Sequence, residues 1–263
     1  VKFAGYYWRI IRINSNGSVR MIYDGTSAHE NGESSEDRQY GKSSFNAIYN
    51  NNMYVGYMYT SEEAHGTGTS STIKTNVDKF YIDKLISYAS KLDTDAGFCG
   101  DRFTLNLQSG VGTGTIITYN KGYLRVEEST PTLTCENSSD YYTVSNASSG
   151  NKKLSYPIGL ITVDEMMYAG HAGGVFDGDY AHMKSSKKNY LVIGNHFWTM
   201  TPTGGYNPFG SKFWIVKVFG VNAGGRFDDN DTNGTYGLRP VVNLSSNVII
   251  TGNGTMLEPY TVN

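Results

Sequence analysis

The segment from residue 195 to residue 244 constrains the fold most, because short β-type runs alternate in it with long turns. It reads NHFWTMTPTGGYNPFGSKFWIVKVFGVNAGGRFDDNDTNGTYGLRPVVNL. Residues 197–200, 214–218 and 241–244 are rich in aromatic and β-branched side chains, which favour strands. The turns between them contain Gly, Asn, Asp and Tyr, which are typical of recognition loops on a rigid scaffold. This alternation predicts an antiparallel sheet that presents its turns to a partner.

Composition also favours a sheet-rich protein. The 263 residues include 31 Gly and 21 Tyr, and 17% of them are charged. Glycine suits tight turns and tyrosine suits pleated strands, so we expect an α+β fold with mostly antiparallel strands and two main helices. The composition changes little along the chain, which predicts a single domain, 1–263, with an N-terminal portion at 1–160 and a C-terminal portion at 161–263.

Charge and cysteine content narrow the function. The net charge of -2 provides no positive face for nucleic acid. No apolar run approaches the roughly 20 residues of a membrane-spanning helix, so we expect no membrane insertion within these residues. Cys99 and Cys135 predict one disulfide in an extracellular or cell-surface protein. Two buried, reduced thiols in a cytosolic protein are the alternative interpretation.

Local patterns predict a hairpin and a long helix near the N-terminus. Residues 3–13 and 18–23 are β-type runs joined by a turn that ends in Asn16 and Gly17. Residues 71–92 carry apolar side chains at helical spacing, which predicts a helix with Thr75 or Asn76 as its N-cap and a buried apolar stripe.

A second, shorter helix is predicted to begin at Thr162, because Thr162 and Glu165 have the spacing of a capping box. Gly170 is expected to end it. Residues 25–42 are polar and acidic and are interpreted as a surface loop. Residues 93–153 are interpreted as a long loop-rich excursion that the disulfide ties down.

Several motifs follow one another in an order typical of a known group of proteins. They are YYWRIIRINSNGSVRMIYDG, FCGDR, YPIGLITVDEMMYAG, FWTMTP, GLRPVVNL and GNGTMLEPYTV. The chain resembles secreted or surface domains of unassigned function from gut Bacillota. Its last 70 residues or so are also similar to the formylglycine-generating-enzyme branch of the C-type lectin-like fold, which includes variable proteins diversified by retroelements.

The resemblance implies a C-type lectin-like C-terminal portion, 161–263, whose loops before the strand with Gly237 and Arg239 form the ligand surface. Catalytic members of that branch bind copper with two cysteines late in the chain. No cysteine follows Cys135 here, so we expect no enzyme activity. Trp198, Trp214 and Arg239 are interpreted mainly as framework.

The turns between 203 and 235 supply the predicted ligand-binding residues. Aromatic, amide and charged side chains there combine contact area with polar recognition. The predicted set is Tyr206, Asn207, Phe209, Lys212, Asn222, Arg226, Asp228, Asp229 and Asn230.

A calcium site is a second interpretation of the same segment. Asp229, Asp231 and Asn233 match the first half of a calcium-binding loop, in which alternate oxygen ligands converge on one cation. The twelfth position, which usually supplies a bidentate Glu, is Pro240. This mismatch favours a solvated Asx-rich turn over a bound calcium.

Together these features predict an extracellular, adhesin-like domain that is monomeric and binds a protein or glycan ligand. A structural subunit of a surface filament or pilus is the first alternative, because the same segment can act as a packing interface. A carbohydrate-active enzyme is the second, since an acid and a base can be assembled from residues distant in sequence.

Overall fold

The computed structural model describes residues 1–47, 56–61, 63–105, 118–145, 149–174, 186, 188–206 and 215–263. Its strands are β1 (Lys2–Phe3), β2 (Tyr6–Ile13), β3 (Val19–Tyr23), β4 (Lys42–Ser44), β5 (Met58–Tyr59), β6 (Thr69–Ser70), β7 (Phe98–Cys99), β8 (Thr118–Tyr119), β9 (Tyr141–Tyr142), β10 (Ile158–Gly159), β11 (Phe197–Tyr206), β12 (Ile215–Val221), β13 (Phe227–Asp231), β14 (Thr235–Gly237), β15 (Val241–Leu244), β16 (Ile250–Thr251) and β17 (Thr261–Val262). Its α-helices are α1 (Thr72–Phe80), α2 (Lys121–Glu128) and α3 (Val163–Tyr168). The α+β class with mostly antiparallel strands is confirmed.

A seven-stranded sheet, in the order β10-β15-β3-β2-β1-β17-β16, contains both ends of the described chain. The predicted N-terminal hairpin is confirmed, because β2 and β3 pair antiparallel and Gly17 takes the positive φ that the connecting turn requires. The predicted strand at 241–244 is also confirmed, and all four of its residues are buried against β3 and β10. The N-terminal and C-terminal portions therefore share this sheet.

A six-stranded sheet has the order β13-β12-β11-β14-β4, and β8 pairs with the far end of β11. The strand predicted at 197–200 extends to Tyr206, and the one predicted at 214–218 extends to Val221. The segment 227–231 was expected to be part of a turn, but it forms β13 and pairs with all of 217–221. Phe227 is buried at its start, and an edge strand tolerates the following polar residues because half of them face solvent.

The helix predicted at 71–92 forms in three parts: α1, a π-helical turn at Tyr81–Leu85 and a 3-10 segment at Ile86–Lys91. Its N-cap is Ser71, whose Oγ accepts a hydrogen bond from Lys74 N at 3.2 Å. The expected caps were wrong because Thr75 lies one turn inside the helix, where its hydroxyl donates back to Ser71 O.

The apolar stripe of this helix is buried only in its first two parts. Val77, Phe80 and Leu85 are buried, whereas Ile86 and Tyr88 are exposed. The change to 3-10 geometry rotates the later residues away from the core, since 3-10 and α-helices have different numbers of residues per turn.

The capping box at α3 is confirmed. Thr162 Oγ1 accepts from Glu165 N, and Glu165 Oε2 accepts from Thr162 N. Gly170 follows the helix with a φ of +87°.

In the described part of the chain a third helix, α2, forms where a loop was expected. Gly122 lets α2 approach β11, because a Cβ atom at this position would lie 2.4 Å from Thr201 Cγ2.

The Cys99–Cys135 disulfide is present, with an S–S distance of 2.04 Å and a sequence separation of 36. It joins β7 to the segment that follows α2. The loop-rich excursion is therefore tied down as predicted. Among the described residues, no helix has the length and apolar character to cross a membrane.

The segment 25–42 is more than a surface loop, because it contributes to a buried charge cluster. Asp24 accepts hydrogen bonds from Arg9, Arg38 and Arg239. Arg239 also donates to the carbonyl oxygens of Tyr23 and Leu191, which confirms its predicted role as framework. We call Asp24, Arg9, Arg38 and Arg239 the Asp24 cluster.

Trp198 is framework as well. It is buried, and its Nε1 donates to Ser43 O at 2.8 Å. Trp214, the other tryptophan predicted to be framework, lies outside the described residues.

Candidate ligand-binding surface on the six-stranded sheet

Four neighbouring strands of the six-stranded sheet place one residue each in a single row. Tyr119 pairs with Gly204, Gly204 pairs with Lys217, and Lys217 pairs with Asp231. Residues directly opposite one another in antiparallel strands project to the same face. Tyr119, Lys217 and Asp231 therefore share one face, and Gly204 adds no side chain between the first two.

Aromatic rings stack next to this row. The rings of Tyr119 and Tyr123 have centroids 4.1 Å apart and planes inclined by 26°. Tyr123 stacks in turn on Phe219 of β12, at 6.4 Å and 19°. Phe219 is buried and the two tyrosines are half-buried, so the stack leads from the core to the protein surface.

An ion pair flanks the stack. Lys217 Nζ lies 2.9 Å from Asp229 Oδ2, with side chains that are 25% and 35% exposed. Asp229 is paired with Phe219 across β12 and β13, which places it beside the aromatic stack. We call Tyr119, Tyr123, Lys217 and Asp229 the Tyr119 surface.

The Tyr123 hydroxyl of this surface is neutral near pH 7. Burial raises the pKa of Tyr123 to about 12, and Tyr119, Glu127 and Asp229 nearby contribute to the shift. A neutral phenol both donates and accepts hydrogen bonds. The surface thus combines two aromatic rings, hydroxyl groups, a carboxylate and an ammonium group, which together can bind a ligand with apolar and polar faces.

The structure divides the predicted ligand residues between the two faces of β13. Asp229 lies on the Tyr119 surface, whereas Asp228 pairs with Gly220 and faces the other side of the sheet. Asp228 accepts two hydrogen bonds from Asn222 Nδ2, and Asn222 Oδ1 accepts from Gly224 N and Arg226 N. Asn222 and Arg226 therefore belong to the turn between β12 and β13, and Asp228 on β13 is hydrogen-bonded to that turn.

Asn230 was expected at the ligand surface, but it is buried. Its Nδ2 lies 3.0 Å from His196 Nε2, and the His196 ring packs on Tyr236 at 4.0 Å. Gly220 makes room for this contact, because a Cβ atom there would lie 2.6 Å from His196 Nε2. Asn230 thus has a structural role.

Two residues of the predicted calcium site, Asp229 and Asp231, lie two positions apart on β13. Asp229 forms an ion pair with Lys217. Asn233 lies beyond the end of β13, in a turn closed by a hydrogen bond from Gly234 N to Asp231 O. The described ranges contain no group of three His, Cys, Asp or Glu residues able to hold a metal ion. The favoured alternative, an Asx-rich turn, holds only for residues 232–234, because Asp229 and Asp231 lie on the strand.

The remaining predicted residues begin at the end of β11 in the sequence. Tyr206 is the last residue of β11, and Asn207, Phe209 and Lys212 lie outside the described residues. The hairpin adjoins the Tyr119 surface, because β8 pairs with Gly204 and Gly205 immediately before Tyr206.

Sequence analysis missed Tyr119 and Tyr123, which lie about 100 residues before β12. The one local signal was the spacing of four between them, which favours contact of two side chains on a helix. Their position on the sheet depends on the pairing of β8 with β11. Such long-range pairing leaves no pattern in a single sequence.

No family model, no curated protein and no solved structure matches this chain. The similarity to surface domains of gut Bacillota and to the C-type lectin-like fold therefore stays a prediction based on the motifs of the chain itself.

Proposed function

We propose that this chain is an extracellular, adhesin-like domain that binds a glycan or protein ligand through the Tyr119 surface and the adjoining β11–β12 hairpin. The observation that carries the proposal is the stack of two half-buried tyrosine rings beside the Lys217–Asp229 ion pair. Aromatic faces bind the apolar faces of sugar rings, and the flanking charged groups bind hydroxyls. This combination favours a glycan over a protein ligand.

The extracellular location is supported by the disulfide, since such bonds persist in oxidising environments. A C-type lectin-like C-terminal portion with diversified loops is part of the same proposal and rests on the motifs. A reverse transcriptase gene beside a near-copy of the DNA that encodes 195–240 would support diversification. Genomic neighbourhoods that lack both elements would contradict it.

The test of ligand binding is a screen of a glycan panel followed by calorimetry with the best ligand. We expect Tyr123→Ala to weaken binding about 10-fold or more, because it removes a central aromatic contact. Tyr168→Ala is the matched control, since Tyr168 is an exposed tyrosine on α3, outside the Tyr119 surface. Retained affinity in the Tyr123 variant, or an equal loss in both folded variants, would refute this site.

The same assay tests whether the domain acts on its ligand. We propose binding without turnover. Release of new reducing ends from any glycan by the purified chain would instead support the carbohydrate-active enzyme.

A filament or pilus subunit is the second candidate, and one observation favours it. Strand β16 forms the end of the seven-stranded sheet, and Ile249, Ile250 and Leu257 beside it are exposed. An exposed apolar edge strand can pair with another chain. Sedimentation velocity distinguishes the candidates, because a binding domain stays monomeric on concentration whereas a filament subunit self-associates.

A further inference from the structure

Two adjacent cavities, which we call the inner and outer chambers, lie between the β2–β3 turn, the residues before β7 and the segment after α2. The outer chamber has a volume of about 460 Å³, and the inner chamber has a volume of about 50 Å³. Arg12, Gly97, Leu133 and Tyr141 line both chambers, so the two chambers lie next to each other. None of these residues belongs to the Tyr119 surface.

Charged side chains surround the inner chamber, and their pairing is uneven. Arg125 donates to both carboxylate oxygens of Asp164 at 2.7 and 2.9 Å, and it also donates to Asp101. Arg12 and Arg20 share Glu165, since both guanidinium groups contact its Oε1 atom. One side of the chamber thus has an excess of negative charge, and the other has an excess of positive charge.

Arg20 is the more deeply buried of the two arginines that share Glu165. It is 1% exposed, and its Nη1 donates to Gly97 O at 3.0 Å. Its Nε is in ion-pair contact with Glu165 but is not aligned for a hydrogen bond with any described residue. Burial lowers the pKa of Arg20, although Glu165 opposes the shift. A further negative charge in the chamber would stabilise the buried guanidinium.

We propose that this cavity binds a carboxylate-bearing ligand, with the carboxylate in the inner chamber against Arg12 and Arg20. The planar guanidinium group matches a carboxylate in geometry and charge. The inner chamber has room for a group of that size and for little more. The rest of the ligand occupies the outer chamber, where Asp95 is exposed on the wall. Because Asp95 is negatively charged, we expect this part of the ligand to be neutral or cationic. The site goes beyond the proposed function, because it uses other residues and another ligand chemistry.

The test uses the full chain and compares N-acetylglycine with its neutral amide by NMR titration. The acid should bind saturably at the residues lining the cavity. The amide should bind about 10-fold more weakly or worse, because it lacks the charge that Arg12 and Arg20 recognise. Sulfate is included, and sulfate binding tighter than that of the acid would contradict a site built for a planar carboxylate.

Two variants with opposite expected effects identify the residues. Arg12→Gln should weaken binding of the acid about 10-fold, since it removes one charged donor from a partly exposed position. Glu165→Gln should tighten binding roughly threefold, because it removes a competing carboxylate. A glutamine at this position keeps an acceptor for the capping box of α3, and urea denaturation checks that the variant is folded, because Arg20 loses its buried counterion.

Lys153→Gln is the control, because it removes an exposed positive charge that does not line the cavity. It should change the affinity by less than about twofold. The Tyr123→Ala variant should also bind N-acetylglycine normally, which separates this site from the Tyr119 surface. The proposal fails if the acid shows no saturable binding, if the amide binds equally well, or if Arg12→Gln has no effect.

Discussion

The Asp24 cluster and the Tyr119 surface both pair a carboxylate with cationic side chains, yet they differ in burial. Asp24 is 2% exposed and is held by three arginines, whereas the Lys217–Asp229 pair is one-quarter to one-third exposed. A buried carboxylate that loses its charge leaves its buried partners uncompensated, while water replaces a partner at the surface. The same pairing therefore stabilises the fold in one region and stays available to a ligand in the other.

The largest expected difference comes from neutralising each carboxylate. Asp24→Asn should lower the free energy of unfolding by about 3 to 5 kcal/mol, because the buried guanidinium groups of Arg38 and Arg239 and the partly exposed one of Arg9 lose their shared counterion. Asp229→Asn, the matched change on the Tyr119 surface, should cost less than about 1 kcal/mol. Urea denaturation measures both values. Equal losses of unfolding free energy in the two variants would contradict the conclusion that the buried pair stabilises the fold more than the surface pair does.

Removal of the disulfide should have the next largest effect on stability. Its local effect should appear near the Tyr119 surface and not near the Asp24 cluster. Replacing Cys99 and Cys135 with Ser should lower the free energy of unfolding by about 3 to 4 kcal/mol. It should also increase hydrogen exchange in α2, which carries Tyr123 and lies within the 36-residue loop that the bond closes. Exchange in β2 and β3, next to Asp24, should change much less. An equal increase in hydrogen exchange throughout the chain would contradict this localisation.

A smaller, pH-dependent effect is expected beneath the Tyr119 surface. Burial lowers the pKa of His171 to about 4, and its ring packs on Phe227 at 4.1 Å. Between about pH 6.5 and 4, His171 therefore binds a proton in the unfolded chain but not in the folded chain. The stability that His171 contributes is complete above pH 6.5 and falls by about 3 kcal/mol as the pH drops through this window.

The measurement is the free energy of unfolding of wild type and His171→Phe across this pH range. The variant keeps an aromatic ring against Phe227 but has no proton to bind, so its pH dependence should be shallower. Parallel curves for the two proteins would show that His171 is not the group responsible.

Features with a local cause were predictable from the sequence. The β2–β3 hairpin follows from its Asn-Gly turn, and α3 follows from the capping box formed by Thr162 and Glu165. The framework role of Arg239 was predicted from its place in the closing strand. In each case the pattern that predicts the structure is complete within a few residues.

Features that depend on distant partners were not predictable. Strand β13 contains mostly Asp and Asn, and it is a strand because β12 pairs with it. Helix α2 packs on β11 through Gly122, a residue that by itself disfavours helices. The Tyr119 surface depends on both elements, so single-sequence patterns identified Asp229 and missed Tyr119 and Tyr123.

The Asp24 cluster also sets an order for the folding of the chain. Arg9 and Arg38 lie 15 and 14 residues from Asp24, whereas Arg239 lies 215 residues away. During synthesis the first two arginines meet Asp24 early, whereas the third is made 215 residues after Asp24. Because contacts of such sequence separation form slowly, the N-terminal hairpin stays without its final partner until the C-terminal strand docks. A chaperone that shields this hairpin during synthesis would therefore raise the yield of folded protein.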